Sequence, residues 1–166
     1  MNALSDLRAP MPCDRSGKPE NEGHVFRGRF FDKCAKIEEW LIGQIDEHGS
    51  GKKPLLFGQR LKAVRDLAPC ICPSAKKQER LLALLDRLQP HADLRATLGH
   101  ARQTVATDSH GEVWTIFTPA DRREAGRRIV LDPGDRKQAL TELNTIANQL
   151  SQLTATASAP PPPMPA

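Results

Sequence analysis

The sequence predicts a mainly α-helical protein: a bundle of about five helices with a small antiparallel β hairpin or meander inserted before the last helix. Apolar residues recur at helical spacing through most of the chain, and prolines and glycines separate these stretches. Between about residues 104 and 131 the pattern changes, because β-branched and aromatic residues cluster there. With 166 residues, the chain has the usual length of one domain.

The two ends of the chain have compositions that do not support a packed core. Residues 1–23 are rich in Pro, Gly, Asn and charged side chains, and the segment from Thr154 is a Pro/Ala tail. Such segments bury too little apolar surface to offset the entropy lost on ordering. We therefore expect a mobile arm at 1–23, a single helical-bundle domain at 24–153 and a disordered tail at 154–166.

The strongest helical pattern opens this domain, at about residues 24–48, where an apolar face repeats every three or four residues. This face consists of Phe30, Cys34, Ile37, Leu41 and Ile45. The glycine- and proline-containing stretch at 49–54 ends the helix. Helices at about 55–68 and 75–89 follow, and Ser74 is a suitable N-cap for the second of them.

A fourth helix is predicted after Pro90, because proline fits the first turn of a helix. His91 then lies in the first turn. The apolar face of this helix consists of Leu94, Leu98, Ala101 and Val105, at spacings of four, three and four residues.

Three short strands are expected next, at about 104–107, 112–118 and 127–131, with turn residues between the first two. The last helix is predicted at 135–153, where Leu and Ile residues form a regular stripe. Its start, Asp135 to Gln138, has the form of a capping box, in which two side chains satisfy the first backbone N–H groups.

Composition excludes several classes of protein. The net charge is +4, and most of the 24 basic residues are arginine, which suits phosphate and carboxylate contacts. Cys70 and Cys72 do not have the spacing of a zinc or redox motif, so no metal or cofactor is expected. No apolar run is long enough to span a membrane or act as a signal peptide, and we expect a soluble, cytoplasmic protein without membrane contact. The sequence also contains no serine elbow or phosphate-binding glycine loop.

Arg95 and His100 form the motif with the clearest chemical meaning. They are separated by four residues and lie near the predicted end of the fourth helix. Histidine titrates near neutral pH, and arginine is a permanently charged, forked donor for phosphate oxygens. On a continuous helix, residues five apart point about 140° away from each other. They could therefore meet over one phosphate only if the helix broke at Gly99, or if two chains paired.

An arginine followed after four to six residues by histidine, at the end of a bundle helix, resembles the motif of the HEPN superfamily. The resemblance covers residues 24–153 in architecture and implies a small bundle that binds or cleaves RNA without metal. It also implies that His100 transfers a proton from the ribose 2′-hydroxyl, that Arg95 stabilises the phosphate charge, and that the protein is a homodimer. Ala96 departs from the family, which usually has a polar residue there, and this leaves open whether the site is active or relict.

Other arginines are candidate RNA contacts. They are Arg102 and a cluster next to the predicted strands: Arg122, Arg123, Arg127 and Arg128. The alternative interpretation is a non-catalytic interaction or scaffold bundle, in which Arg95 and His100 are polar residues beside a packed helix face and the arginine cluster is a solvated loop.

Overall fold

The computed structural model describes residues 19–51, 54–120 and 128–155. Within these ranges the elements are α1 Pro19–His48, α2 Phe57–Asp66, α3 Ala68–Ile71, α4 Ala75–His100, β1 Ala101–Thr107, β2 Val113–Pro119, β3 Ile129–Leu131 and α5 Pro133–Ala155. The predicted fold class is confirmed, since the described residues are mainly helical and a small antiparallel sheet precedes the last helix.

The chain divides into two compact units. The unit that we call the sheet unit contains Met1–Cys34 and Asp93–Glu142, and the unit that we call the helix unit contains Ala35–Ala92 and Leu143–Ala166. Helices α1, α4 and α5 each contribute one part to each unit.

The core of the helix unit is built from the apolar stripes that the sequence predicts. Ile37 and Leu41 of α1 and Leu143 and Ile146 of α5 are at most 1% exposed. Further buried residues come from α2 and α4, namely Phe57, Leu61, Val64, Leu81, Leu85 and Leu88. Burying a Leu or Ile side chain stabilises a fold by about 1.5–3 kcal/mol, so this core is the main source of stability in the unit.

Helix α1 begins earlier than predicted, at Pro19, so residues 19–23 of the expected mobile arm are helical. A proline at the first helical position loses no hydrogen bond, because its N–H would have no partner within the helix. Gly23 is buried, and a Cβ atom at this position would collide with the amide of Gln103. The close approach of α1 to β1 therefore extends the helix beyond what composition indicates.

Helix α4 is continuous across Pro90, so the predicted third and fourth helices are one helix. A proline inside a helix removes a backbone hydrogen bond and costs about 3 kcal/mol. Leu88, His91 and Ala92 are all buried, and their packing on both sides of Pro90 offsets this cost. The prediction that Pro90 opens a helix was wrong, and His91 lies inside α4 instead of in a first turn.

The sheet is antiparallel with strand order β1-β2-β3. Strand β1 begins at Ala101, not at about 104, because its whole length pairs with β2, from Ala101 opposite Pro119 to Thr107 opposite Val113. The predicted helical face therefore ends at Leu98. Ala101 and Val105 share the spacing of that face by coincidence and belong to the strand.

Helix α5 begins at Pro133, two residues earlier than predicted, and has a different capping box. The Asp135 backbone N–H donates to Asp132 Oδ1 at 2.6 Å, and the Asp132 N–H donates to Asp135 Oδ2 at 3.2 Å. Because Pro133 occupies the first helical position, the capping box lies at 132–135, three residues nearer the N-terminus than predicted. Asp135 takes part in it as the acidic third residue of the helix, not as the cap.

Candidate functional site

Arg95 and His100 lie at the C-terminal end of α4, within the sheet unit, as predicted from their position in the sequence. The helix runs without a break to His100. Among the described residues, the only glycine with a positive φ is Gly111, so the backbone does not change direction at Gly99. Of the two ways to bring Arg95 and His100 together, a break within one chain is therefore not present, and pairing of two chains remains.

The side chain of Arg95 is fixed by an aromatic ring. Its guanidinium carbon lies 5.5 Å from the centroid of Phe31, and that of Arg27 lies 6.0 Å from the same centroid. All three side chains are partly buried. A cation near an aromatic ring gains about 0.5–2 kcal/mol, so Phe31 restrains two positive charges near the end of α4.

Arg27 also contacts the backbone at the end of α4. Its guanidinium donates to the carbonyl oxygens of Gly99 at 3.5 Å and Ala101 at 3.4 Å. The last carbonyls of a helix have no partners within the helix and carry a partial negative charge, which a cation stabilises. The role of Arg27 is not evident from the sequence, because these contacts join positions more than 70 residues apart.

His100 is the last residue of α4 and is exposed to solvent. Ala96, four residues earlier and on the same side of the helix, is also exposed and supplies no polar group to the imidazole. Because consecutive Cα atoms are about 3.8 Å apart, the Cα atoms of His100 and Arg102 are separated by no more than about 7.6 Å. The exposed imidazole thus lies close to the start of the sheet.

One face of the sheet carries an open cavity of about 530 Å³. Its lining consists of Arg102, Thr104, Ile116, Thr118, Pro119, Ala120 and Arg128. We call this surface the open face. The opposite face of the sheet carries Thr115 and Phe117, which are buried, and Phe117 lies 6.5 Å from Phe26 of α1.

The strand register explains why two distant arginines line one cavity. Arg102 of β1 is opposite Thr118 of β2, and Phe117 is opposite Ile129 of β3. If the pairing of β2 with β3 is continued by one residue, Arg128 is opposite Thr118, so Thr118 lies between Arg102 and Arg128. Arg102 lies in β1 and Arg128 directly precedes β3, and the axes of these two outer strands are about 10 Å apart. Both side chains are exposed.

The structure thus brings together two of the five arginines that the sequence marked as RNA contacts, Arg102 and Arg128. The other three, Arg122, Arg123 and Arg127, lie outside the described residues. Thr118, which completes the row, was not a candidate, because only the pairing of three strands reveals its position.

The turn between β1 and β2 is built around Asp108. Its Oδ1 atom accepts the backbone N–H groups of His110 at 2.8 Å and Glu112 at 2.9 Å, and its Oδ2 atom accepts the indole N–H of Trp114 at 3.4 Å. Partial burial opposes ionisation of Asp108, but these donors outweigh it, so the pKa of the carboxyl lies below its ordinary value. The turn is therefore anionic at neutral pH.

No three His, Cys, Asp or Glu side chains among the described residues are arranged to hold a metal ion. None of the described helices combines the length and apolar character that a bilayer crossing requires.

The chain was compared with family models, with curated proteins and with solved structures. None of them matches it.

Proposed function

We propose that this protein binds RNA through its phosphate backbone at the open face of the sheet. The observation that carries the proposal is the row formed by Arg102, Thr118 and Arg128, in which two exposed arginines from different strands line one cavity.

Physical chemistry favours a phosphate ligand at this row. Each guanidinium presents a planar fork of N–H donors that matches phosphate oxygens, and the hydroxyl groups of Thr104 and Thr118 add neutral donors. Two cations on strands about 10 Å apart suit a ligand with repeated negative charge better than a single small anion. The net charge of +4 supports association with such a polyanion.

Binding of a single-stranded RNA at several salt concentrations tests the proposal. The affinity of wild type should fall as salt rises, because bound arginines release counterions from the nucleic acid. The double variant Arg102→Gln/Arg128→Gln should bind at least tenfold more weakly at low salt. Its logarithmic salt slope should be smaller by about 1.4, since each lost phosphate contact removes about 0.7.

The control is Arg80→Gln, which removes one positive charge from an exposed position of α4 in the helix unit. It should bind RNA within about twofold of wild type, since surface substitutions away from the contact change little. A triple variant of the arginines at 122, 123 and 127 tests the remaining contacts that the sequence predicts. Lack of binding by wild type at low salt would leave the scaffold interpretation in place.

We also propose, as a second function, that two copies of the chain cut RNA without metal at Arg95 and His100. The supporting observation is that Arg95 is held over Phe31 while His100 is exposed within two residues of Arg102. The resemblance to the HEPN superfamily supplies the roles, with His100 in proton transfer and Arg95 in stabilising the phosphate.

A mixing experiment tests whether the site is shared between chains. His100→Ala and Arg95→Ala should each lower cleavage roughly a hundredfold or more, and cleavage by wild type should survive EDTA. When the two variants are mixed, a heterodimer contains one intact pair, so about a quarter of wild-type activity should return for a symmetric dimer. Ala96→Asn should raise activity by placing a polar group on the histidine's side of the helix.

The results separate the two proposals. If the protein is monomeric, or if the His100→Ala variant cleaves RNA as fast as wild type does, then Arg95 and His100 do not form a site shared between two chains. Salt-dependent RNA binding without cleavage would retain the first function and mark Arg95 and His100 as a relict.

A further inference from the structure

Trp114 shares the open face with the arginine row. Side chains alternate along a strand, so Trp114, Ile116 and Thr118 of β2 point to the same side of the sheet. Ile116 and Thr118 line the cavity of the open face, and Trp114 is partly exposed. Ala106, the residue opposite Trp114 in the register, is small and buried.

The indole is held in place by the turn. Its N–H donates to Asp108 Oδ2, while Asp108 Oδ1 accepts two backbone N–H groups of the same turn. A ring that is already oriented loses little conformational entropy when a ligand stacks on it. Trp114 is therefore prepared for a planar ligand.

Charge and polarity change along the open face in a fixed order. Arg102 and Arg128 form a cationic row with Thr118, the next row on this face contains Ile116 and Val130, and the row beyond contains Trp114. Thr118 and Trp114 are four positions apart, which is about 13 Å along an extended strand. Asp108 and the exposed Glu112 place negative charge at the Trp114 end, so phosphate is favoured at the arginine end.

We infer that the open face binds single-stranded RNA, with phosphate at Arg102 and Arg128 and an unpaired base stacked on Trp114. This inference rests on the proposed RNA binding and specifies its substrate class. A paired base offers only its edge to a protein surface, because its faces are covered by neighbouring bases, whereas an unpaired base exposes a face that an indole can cover.

Tryptophan fluorescence gives a direct test, because the chain contains two tryptophans. Trp40→Phe leaves Trp114 as the single indole. Titration with a single-stranded RNA of mixed sequence at low salt should quench its emission, and the midpoint should equal that measured by anisotropy of a labelled strand. A blunt-ended duplex that contains the same strand should leave the emission unchanged.

Affinity measurements keep the inference testable if Trp40→Phe is poorly folded. Trp114→Leu should weaken single-strand binding by roughly 5- to 150-fold, the loss expected for one stacked base, while duplex binding stays within about twofold of wild type. Trp114→Phe keeps an aromatic face and should bind within about threefold of wild type. Trp40→Leu, in the helix unit, is the matched control and should not change the affinity of folded protein.

The outcomes distinguish this inference from the function on which it rests. If binding requires Arg102 and Arg128 but is unaffected by Trp114→Leu, the stacking site is wrong and RNA binding remains. Equal losses for single strand and duplex in Trp114→Leu would also overturn it, because the ring would then support the sheet and not a base. If polyglutamate quenched the emission of Trp114 as strongly as single-stranded RNA does, the inference would be wrong and an acidic peptide would be the ligand. Absence of any RNA binding by wild type removes both proposals.

Discussion

The two units of the molecule are stabilised by different kinds of contact. In the helix unit, aliphatic side chains from α1, α2, α4 and α5 form the core, and most of its fully buried residues are Leu or Ile. The sheet unit has an aromatic cluster of Phe26, Phe30 and Phe117 and, around it, polar links from arginines. The helix unit thus depends mainly on packing, with one part-buried ion pair between Arg60 and Glu38 at 2.8 Å. In the sheet unit, the contacts of Arg27 and Arg136 with the backbone and with side chains accompany a smaller aromatic core.

This difference matters for function because a hydrogen bond requires a defined distance and direction between two atoms, which apolar packing does not. Arg136 is 6% exposed and donates to Thr115 of β2 and to Glu22 of α1. It thereby connects the buried face of the sheet to two helices. The open face lies on the other side of the same strand, and a binding surface benefits from a strand that is anchored in this way.

The largest effect should follow from placing a charge in the aliphatic core of the helix unit. Ile37→Asp and Leu143→Asp should each lower the free energy of unfolding by about 3–5 kcal/mol, because a buried carboxylate there has no compensating partner. Thermal unfolding followed by circular dichroism measures the loss. Ala35→Asp and Asn144→Asp, at neighbouring exposed positions, are the controls. Wild-type midpoints for both core variants would show that this core is assigned wrongly.

A smaller effect should follow from removing the hydrogen bonds that Arg136 donates to Thr115 and Glu22 in the sheet unit. Arg136→Met deletes the buried cation and leaves the Thr115 hydroxyl without this donor, and it should destabilise the protein by about 2 kcal/mol. Lys137→Met changes an exposed cation on the next residue of α5 and should alter stability by less than about 0.5 kcal/mol. Equal thermal midpoints for the two variants would mean that the contacts of Arg136 add nothing to the stability of the sheet unit.

The smallest effect should depend on pH and involve the turn at Asp108. Because the pKa of this carboxyl is lower in the folded protein than its ordinary value of 3.8, its ionised form stabilises the fold above that value. The contribution is lost as pH falls through the lower, folded pKa. Asp108→Asn should therefore melt below wild type at about pH 6, and the gap should close toward about pH 3. Asp66→Asn, at an exposed position of α2, is the control, and a gap that does not change with pH would contradict the role of Asp108.

The sequence was sufficient to predict the parts of the fold that depend on periodicity. The α1 face of Phe30, Cys34, Ile37 and Leu41 is buried as predicted, since a 3.6-residue repeat directly encodes which side of a helix packs. The continuous α4 was not predictable, because the residues around Pro90 that offset its local cost, Leu88, His91 and Ala92, become buried only in the folded protein.

The candidate site was predictable in its residue types but not in its geometry. Arg102 and Arg128 were both candidates, yet only the pairing of three strands places Thr118 between them. Arg27 could not be identified, because its partners at the end of α4 are brought near only by folding. Composition reveals the surplus of arginine, whereas strand register and long-range contacts decide which arginines share a surface.

The sharing of three helices by the two units has a consequence for cooperativity. If one unit unfolded alone, α1, α4 and α5 would each have to end in mid-length, and the backbone groups of each new terminus would lose their partners. We therefore expect one unfolding transition instead of two. Trp40 reports on the helix unit and Trp114 on the sheet unit, so single-tryptophan variants can follow each in urea. Matched variants with different transition midpoints would show that the shared helices do not couple the units.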